Sequence, residues 1–253
     1  ILCEKPLADT MEACCRIYRK VKKTGRKLVV TMSHRFEVEK QAVETLVKSG
    51  VYGKPNYIQS RLTLKRSCVR DVVHEDPASL ITGGLIHNLD TVRGICGCNA
   101  QTVYADCWVF ENAPDHTSGT SGMVHVRMEN GVRAAFEESC ANAACLNGWS
   151  DEYLRVECAG AAIIADHKKI EIRSDLGYPH ARCAQIPLPQ QKYWDHCLLV
   201  QQFLDWQDGG PAAPTNLEDN MQCCALTFAA VESLRTGNPV NVQEYLAKFM
   251  SAI

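Results

Sequence analysis

The sequence is short of several things, and each shortage excludes a class. It has no run approaching the ~20 apolar residues of a membrane-spanning helix. The formal net charge is only −2, so no strongly basic surface marks a nucleic-acid partner. No internal repeat or low-complexity tract occurs. Aromatics make up 7%. There is no C-x-x-C pair, and Cys96-Gly97-Cys98 has no matching second pair, so a structural zinc site is not expected. Most of the 14 cysteines among the 253 residues therefore read as small buried hydrophobes kept reduced in a cytoplasmic protein, not as a disulfide scaffold. Finally, no G-x-G-x-x-G opens a helix after a strand; Gly94-Ile95-Cys96-Gly97 and Gly119-Thr120-Ser121-Gly122 lack both the spacing and the context.

What is present begins at once. Ile1-Leu2-Cys3 is an apolar run that reads as the end of a strand covered on both faces, and it meets Glu4-Lys5-Pro6. Pro6 has no amide hydrogen, so the ladder ends there. Asp9-Thr10-Met11-Glu12 has the spacing of a helix start, Gly25 is a helix stop, and residues 27–32 read as a second strand. The basic stretch from Arg19 to Lys23 suits the dipole at that helix's end. Strand, helix and strand make a parallel βαβ unit with a right-handed crossover. One such unit cannot cover a sheet, so the chain is expected to begin partway through a domain.

Further on, residues 37–49 read as a helix with Ala42, Val43, Leu46 and Val47 inward, and 56–64 as a strand. Residues 65–82 read as a long loop, 85–95 as a short helix. The pattern then turns to strands at 101–110, 122–128, 132–140, 153–158, 161–166 and 169–174, with Asn130-Gly131 marking a hairpin. Helices at 194–206, from Thr215-Asn216-Leu217-Glu218 to Gly237, and at 242–250 close the chain. The expected architecture is the C-terminal part of an α/β domain over 1–34, followed by an α+β domain over 35–253.

Two segments can carry chemistry. In open α/β sheets, ligands bind at the carboxyl ends of strands, where Glu4, Lys5 and Pro6 would lie; the bland reading is a surface strand end. A lysine there can hold a hydroxyl oxygen or move a proton if burial lowers its pKa. In His87-Asn88-Leu89-Asp90, residues i and i+3 share a helix face, so Asp90 can fix the tautomer of His87 as a general base; alternatively the two are a structural polar pair. Gly83-Gly84, just before, allows close approach of a ligand or simply a turn. His34 and Arg35 follow the second strand at the same edge, and either touch a ligand or leave Arg35 paired with Glu37 or Glu39. Trp149, near Tyr153 and Arg155, either stacks on a sugar ring or packs a core or interface. His74 and His116 are expected in solvated loops, and Met123, Val124, Val126 and Met128 in strand packing.

Taken in order, Glu4-Lys5-Pro6 after an apolar strand, Arg35-Phe36 after the next, Ser49-Gly50-Val51-Tyr52-Gly53-Lys54-Pro55, His87-x-x-Asp90 followed by Gly97, and Arg235-Thr236-Gly237-Asn238-Pro239-Val240 resemble the glucose–fructose oxidoreductase and inositol dehydrogenase-like family. The resemblance spans nearly the whole chain. It implies a Rossmann domain binding NAD or NADP, then a domain with an open, mostly antiparallel sheet. It implies oxidation or reduction of a secondary alcohol or carbonyl on a sugar, cyclitol or related small molecule, and a homo-oligomer. By position, Lys5 would stand beside the nicotinamide and the reacting hydroxyl, Glu4 near the nicotinamide ribose, and His87 in proton transfer. Many members carry an acid where this sequence has Gly83. That departure keeps open a non-catalytic protein on the same fold that senses a nucleotide or contacts a partner.

Overall fold

A computed structural model describes residues 1–65, 76–110, 119–175 and 181–251; His74 and His116 lie outside them. Strand β1 (Leu2–Cys3), helix α1 (Met11–Thr24) and strand β2 (Val29–Val30) form the βαβ unit, with β1 and β2 parallel and in register Leu2 to Val29. Helix α1 starts one residue later than the sequence suggests: the Oγ1 of Thr10, not a side chain at Asp9, accepts from the Ala13 amide at 3.3 Å. Gly25 ends it at φ 62°, a conformation that favours glycine. Its basic end is engaged, with Lys22 2.6 Å from Glu218 and Arg19 donating to the Met250 carbonyl at 2.6 Å.

After β2 comes a single 3₁₀ turn (Ser33–Phe36), then α2 (Val38–Ser49) and β3 (Pro55–Thr63). Of residues 65–82, expected to be a loop, 66–75 lie outside the described residues and 78–82 are helical. A helix starts at α3 (Ala78–Leu80), passes through a π-helical turn (Ile81–Leu85) and continues as α4 (Ile86–Cys96). Asp76 caps its start, its Oδ1 accepting from the Ala78 amide at 2.9 Å. Gly83-Gly84 reads as a helix breaker by propensity, yet here it forms the π turn, a feature common at functional sites.

Strands β4 (Ala100–Phe110), β5 (Gly119–Met128), β6 (Arg133–Ser139), β7 (Tyr153–Cys158), β8 (Ala162–Asp166), β9 (Lys169–Asp175) and β10 (Ala181–Ile186) follow, the last unforeseen from the sequence. Helices α5 (Asp195–Gln207), α6 (Leu217–Thr236) and α7 (Val242–Ser251), with strand β11 (Val240–Asn241) between the last two, complete the chain. The nine-stranded sheet runs β10-β9-β8-β7-β3-β6-β5-β4-β11. Only β3 and β6 are parallel, so the sheet is mostly antiparallel.

Alternation along the strands makes two unlike faces. Ile58, Leu62, Val103, Ala105, Val124, Val126, Ala134, Phe136, Leu154 and Val156 are buried. The opposite face leaves Tyr104, Trp108 and Met123 exposed, so Met123 does not share the packing of Val124, Val126 and Met128. Helix α6 packs on β4, and its Cys223 and Cys224 are buried, as are Cys14 and Cys15 of α1.

Candidate active site

Because β1 and β2 are parallel, their carboxyl ends share one edge. Lys5 leaves β1 there, and the 3₁₀ turn after β2 presents His34 and Arg35. Lys5 crosses to the π turn, where its Nζ donates to the carbonyl of Gly83. One helical turn beyond Gly83 stands His87, whose ring stacks on that of His34 with centroids 4.0 Å apart and planes 15° from parallel. Trp149 sets its edge against both, 4.6 Å from His34 and 5.4 Å from His87, while remaining 51% exposed. The loop bearing Trp149 is anchored by Asn147, whose Oδ1 accepts from Arg61 at 2.8 and 3.0 Å and whose Nδ2 donates to Asp166 at 2.9 Å. Lys5, His34, His87 and Trp149 thus come together from four separate segments. Tyr153, by contrast, lies under Arg61, and Arg155 over Tyr57.

Two expectations need correction. Asp90 does not serve His87. It is buried and paired with Arg35, accepting from Nε at 2.8 Å and from Nη2, while Arg93 lies 3.3 Å from its Oδ1. Helix α4 is buried nearly all round, so Asp90 is drawn to two guanidiniums that the fold also buries. Arg35 is correspondingly not free for substrate. Burial disfavours its charge, but Asp90 and Asp219 overcome this and hold the guanidinium firmly protonated. Its carboxylate partners are Asp90 and Asp219, not Glu37 or Glu39. Glu4 is exposed beside Lys5.

The acid next to the histidines is Glu152, 2.9 Å from His34 Nδ1. Glu152 also meets Lys40, which lies 2.8 Å from Glu37. Burial raises the Glu152 pKa, but Lys40 and His34 outweigh it and keep the carboxylate ionised. His34, Glu37 and Glu152 bring ligating atoms close enough for a metal ion. The Lys40 ammonium already stands between the two carboxylates and supplies the positive charge they need.

A second buried acid lies against the π turn that Lys5 reaches. Glu138 on β6 is 3% exposed, on the same sheet face as Ala134 and Phe136. A Cβ built on Gly84 would collide with its Oε1, so the absence of a side chain at Gly84 is what admits this carboxyl. Its Oε2 finds no hydrogen-bond partner among the described residues.

These charges set the protonation states. Burial, with His34 and Lys5 adding to it, pushes His87 down to about 2, so its imidazole is neutral at physiological pH. Its buried Nδ1 has no partner among the described residues. Burial lowers the pKa of Lys5 against the opposing pull of Glu4 and Glu138. Burial and Glu152 raise that of Glu138 well above the carboxylate range, against Lys5. The site therefore offers a neutral imidazole, a lysine whose ammonium burial disfavours and an acid whose carboxylate burial disfavours, which is equipment for proton transfer at a small ligand.

A βαβ edge carrying a lysine thus meets the helix that carries His87, beside a mostly antiparallel sheet. The chain is 38% identical over 259 residues to the uncharacterized protein y4oX of Sinorhizobium fredii, covering 98% of this chain and 71% of that one. It is 25% identical over 241 residues to an inositol 2-dehydrogenase of Ralstonia nicotianae, covering 94% and 68% respectively. Its fold matches an oxidoreductase from Agrobacterium radiobacter solved with NAD+, L-tartaric acid and magnesium, with a TM-score of 0.75 at 19% identity over 96% of this chain and 73% of that one. No family model matches. The chain belongs to the glucose–fructose oxidoreductase and inositol dehydrogenase-like family of NAD(P)-dependent oxidoreductases.

Lys40, Glu138 and Glu152 were not singled out by sequence reasoning. A signal for two of them exists: Glu138 continues the inward positions Ala134 and Phe136, and Glu152 precedes Leu154 and Val156 in the same alternation. An acid on the apolar parity of a strand is a buried acid in waiting.

Proposed function

We propose that this chain carries the reacting end of an NAD- or NADP-dependent dehydrogenase that oxidises a secondary alcohol on a sugar, cyclitol or related polyol. The observation that carries the reading is the convergence of Lys5 from the βαβ edge with His87 from the helix of the second domain, bridged by the bond from Lys5 to Gly83. A relative named inositol 2-dehydrogenase supports the substrate class. In this reading residues 1–34 belong to the dinucleotide-binding unit and 35–253 to the substrate and assembly domain.

The residues suit the nicotinamide end of such a cofactor. Gly83, beside Lys5, faces open space, and the unpartnered Nδ1 of His87 is a polar atom seeking a ligand. Glu4, Lys5 and Pro6 would hold that end. When bound, the cofactor supplies hydride acceptance. The protein's own residues manage the proton: Lys5 Nζ and the neutral His87 imidazole hold the substrate hydroxyl and take its hydrogen ion. His34 fixes the His87 ring by stacking, Glu152 fixes His34, and Trp149 offers a half-exposed face to the apolar side of a polyol ring. Arg35 keeps the turn that presents His34 tied to α4.

The open sheet face, with Tyr104, Trp108 and Met123 exposed, suits a second copy of this chain, making a homo-oligomer. None of the described helices is long and apolar enough to cross a membrane; buried thiols such as Cys14 and Cys223 suit a reducing cytoplasm. The test is to express the gene with its upstream region and follow reduced nicotinamide against a panel of sugars and cyclitols. Absence of turnover with every substrate and either cofactor would count against the reading.

A further inference from the structure

The site lacks a carboxyl group on the helix that presents His87, since Gly83 occupies the position one turn earlier. It has one on the sheet instead. Glu138 reaches from β6 across Gly84 and lies against the same π turn whose Gly83 carbonyl accepts from Lys5. Lys5 and Glu138 are thus brought to adjacent residues of one turn. Glu138 sits among apolar inward positions, where an acid is costly unless it has a task or a partner. One of its oxygens has no partner among the described residues. Nothing in the buried network of Arg35, Asp90, Arg93 and Asp219 uses it.

We propose that Glu138 is the acid partner of Lys5, a positioning residue that takes the proton Lys5 gives up and returns it in each cycle. The inference rests on the dehydrogenase reading of the site. The step is proton transfer alone, carried through one intervening water because Lys5 Nζ is bonded to the Gly83 carbonyl and not to Glu138: an N–H bond of the Lys5 ammonium breaks, an O–H bond forms on Glu138, and no electrons are exchanged. The resulting Lys5 amine is then able to accept the hydrogen ion of a substrate hydroxyl. The ordinary pKa values, 10.5 for lysine and 4.5 for glutamate, are displaced toward one another here, which makes the exchange cheaper. His87 can hold the proton only in passing, because burial, His34 and Lys5 disfavour its charged form. The glycine pair acquires distinct roles: Gly84 gives Glu138 room, and Gly83 leaves space for substrate.

The test does not require turnover. Competitive acylation of Lys5, followed by peptide mass spectrometry over a pH series, reads the pH at which its amine appears. In the wild-type chain a Glu138 carboxylate raises that midpoint. Glu138→Gln should lower it by about one pH unit, roughly tenfold more Lys5 labelling at a fixed pH below the midpoint. Gly84→Ala, which displaces the carboxyl without changing any charge, should shift the midpoint in the same direction. Gly83→Ala, whose methyl meets nothing, should leave it in place. An unchanged midpoint in both Glu138→Gln and Gly84→Ala overturns the proposal, and if Glu138→Gln does not fold, Gly84→Ala decides. Because labelling needs no substrate, failure of this pairing is distinguishable from failure of the dehydrogenase assignment, which is read by nicotinamide turnover.

Discussion

Replacing Arg35 by methionine removes the guanidinium that joins the 3₁₀ turn after β2 to α4 and keeps most of its apolar stem. Asp90, 1% exposed, then loses its nearest countercharge and keeps only Arg93, 3.3 Å away. Unit charges about 3 Å apart attract by roughly 5 kcal/mol at an effective dielectric of about 20. Removing one partner of a buried pair costs about 3–5 kcal/mol, because the other is left buried and uncompensated. Arg93 offsets part of this, so the lower end, about 3 kcal/mol, is expected. That is a large share of the roughly 5–15 kcal/mol of a typical domain. Urea unfolding followed by circular dichroism measures it as a lower midpoint at unchanged slope. Arg35→Lys should recover little, since a single ammonium cannot reproduce the fork on Asp90. If Arg35→Met unfolds within about 0.5 kcal/mol of wild type, and its defect appears instead as a raised KM, then Arg35 binds substrate and the structural assignment is wrong.

Three further outcomes follow from the charges. His87 has a folded pKa far below its ordinary 6.5, so its contribution to stability is complete above pH 6.5 and is lost as pH falls toward about 2. Between pH 6.5 and pH 5 this amounts to roughly 2 kcal/mol, and His87→Asn should flatten that part of the stability profile; identical acid slopes would refute it. Lys40→Met leaves Glu37 and Glu152 facing each other without their shared ammonium, and should cost about 3 kcal/mol at pH 8 and less at pH 5, where a carboxyl can take a proton; a loss independent of pH would argue against the cluster. Trp149→Ala, at a half-exposed site, should raise KM for a cyclitol several-fold while shifting the unfolding midpoint little; a large stability loss with unchanged KM would make Trp149 a packing residue.

The fold was legible where local chemistry speaks. The glycines ending α1, α2, α4 and α6 and the Asn130-Gly131 hairpin each state their own geometry and lie where the sequence points, while the caps at Thr10 and Asn216 fall within one residue of it. The π turn was hidden because two glycines oppose a helix by propensity, and Glu138 packed against Gly84 explains why the second of them has no side chain. In the site, Lys5 and His87 could be found from their strand-end and helix positions. The partner of Asp90 could not. Helical spacing allows His87 and Asp90 to meet, but the choice was made by Arg35, 55 residues earlier in the chain, whose buried guanidinium needs a carboxylate more than a neutral imidazole does. Long-range charge pairing leaves no local trace; alternation within a strand does, and it marks both Glu138 and Glu152.

The central claim is that Lys5 and His87 together move the proton of a nicotinamide-linked alcohol oxidation. It is tested most directly by measuring kcat/KM for nicotinamide reduction by the product of the gene with its upstream region, with the best substrate of a sugar and cyclitol panel, in wild type, Lys5→Ala and His87→Ala. The account predicts turnover in the wild type and a loss of about 10²–10⁴ in each variant. Turnover that both substitutions leave unchanged, or nucleotide binding with no turnover in the wild type, would contradict it.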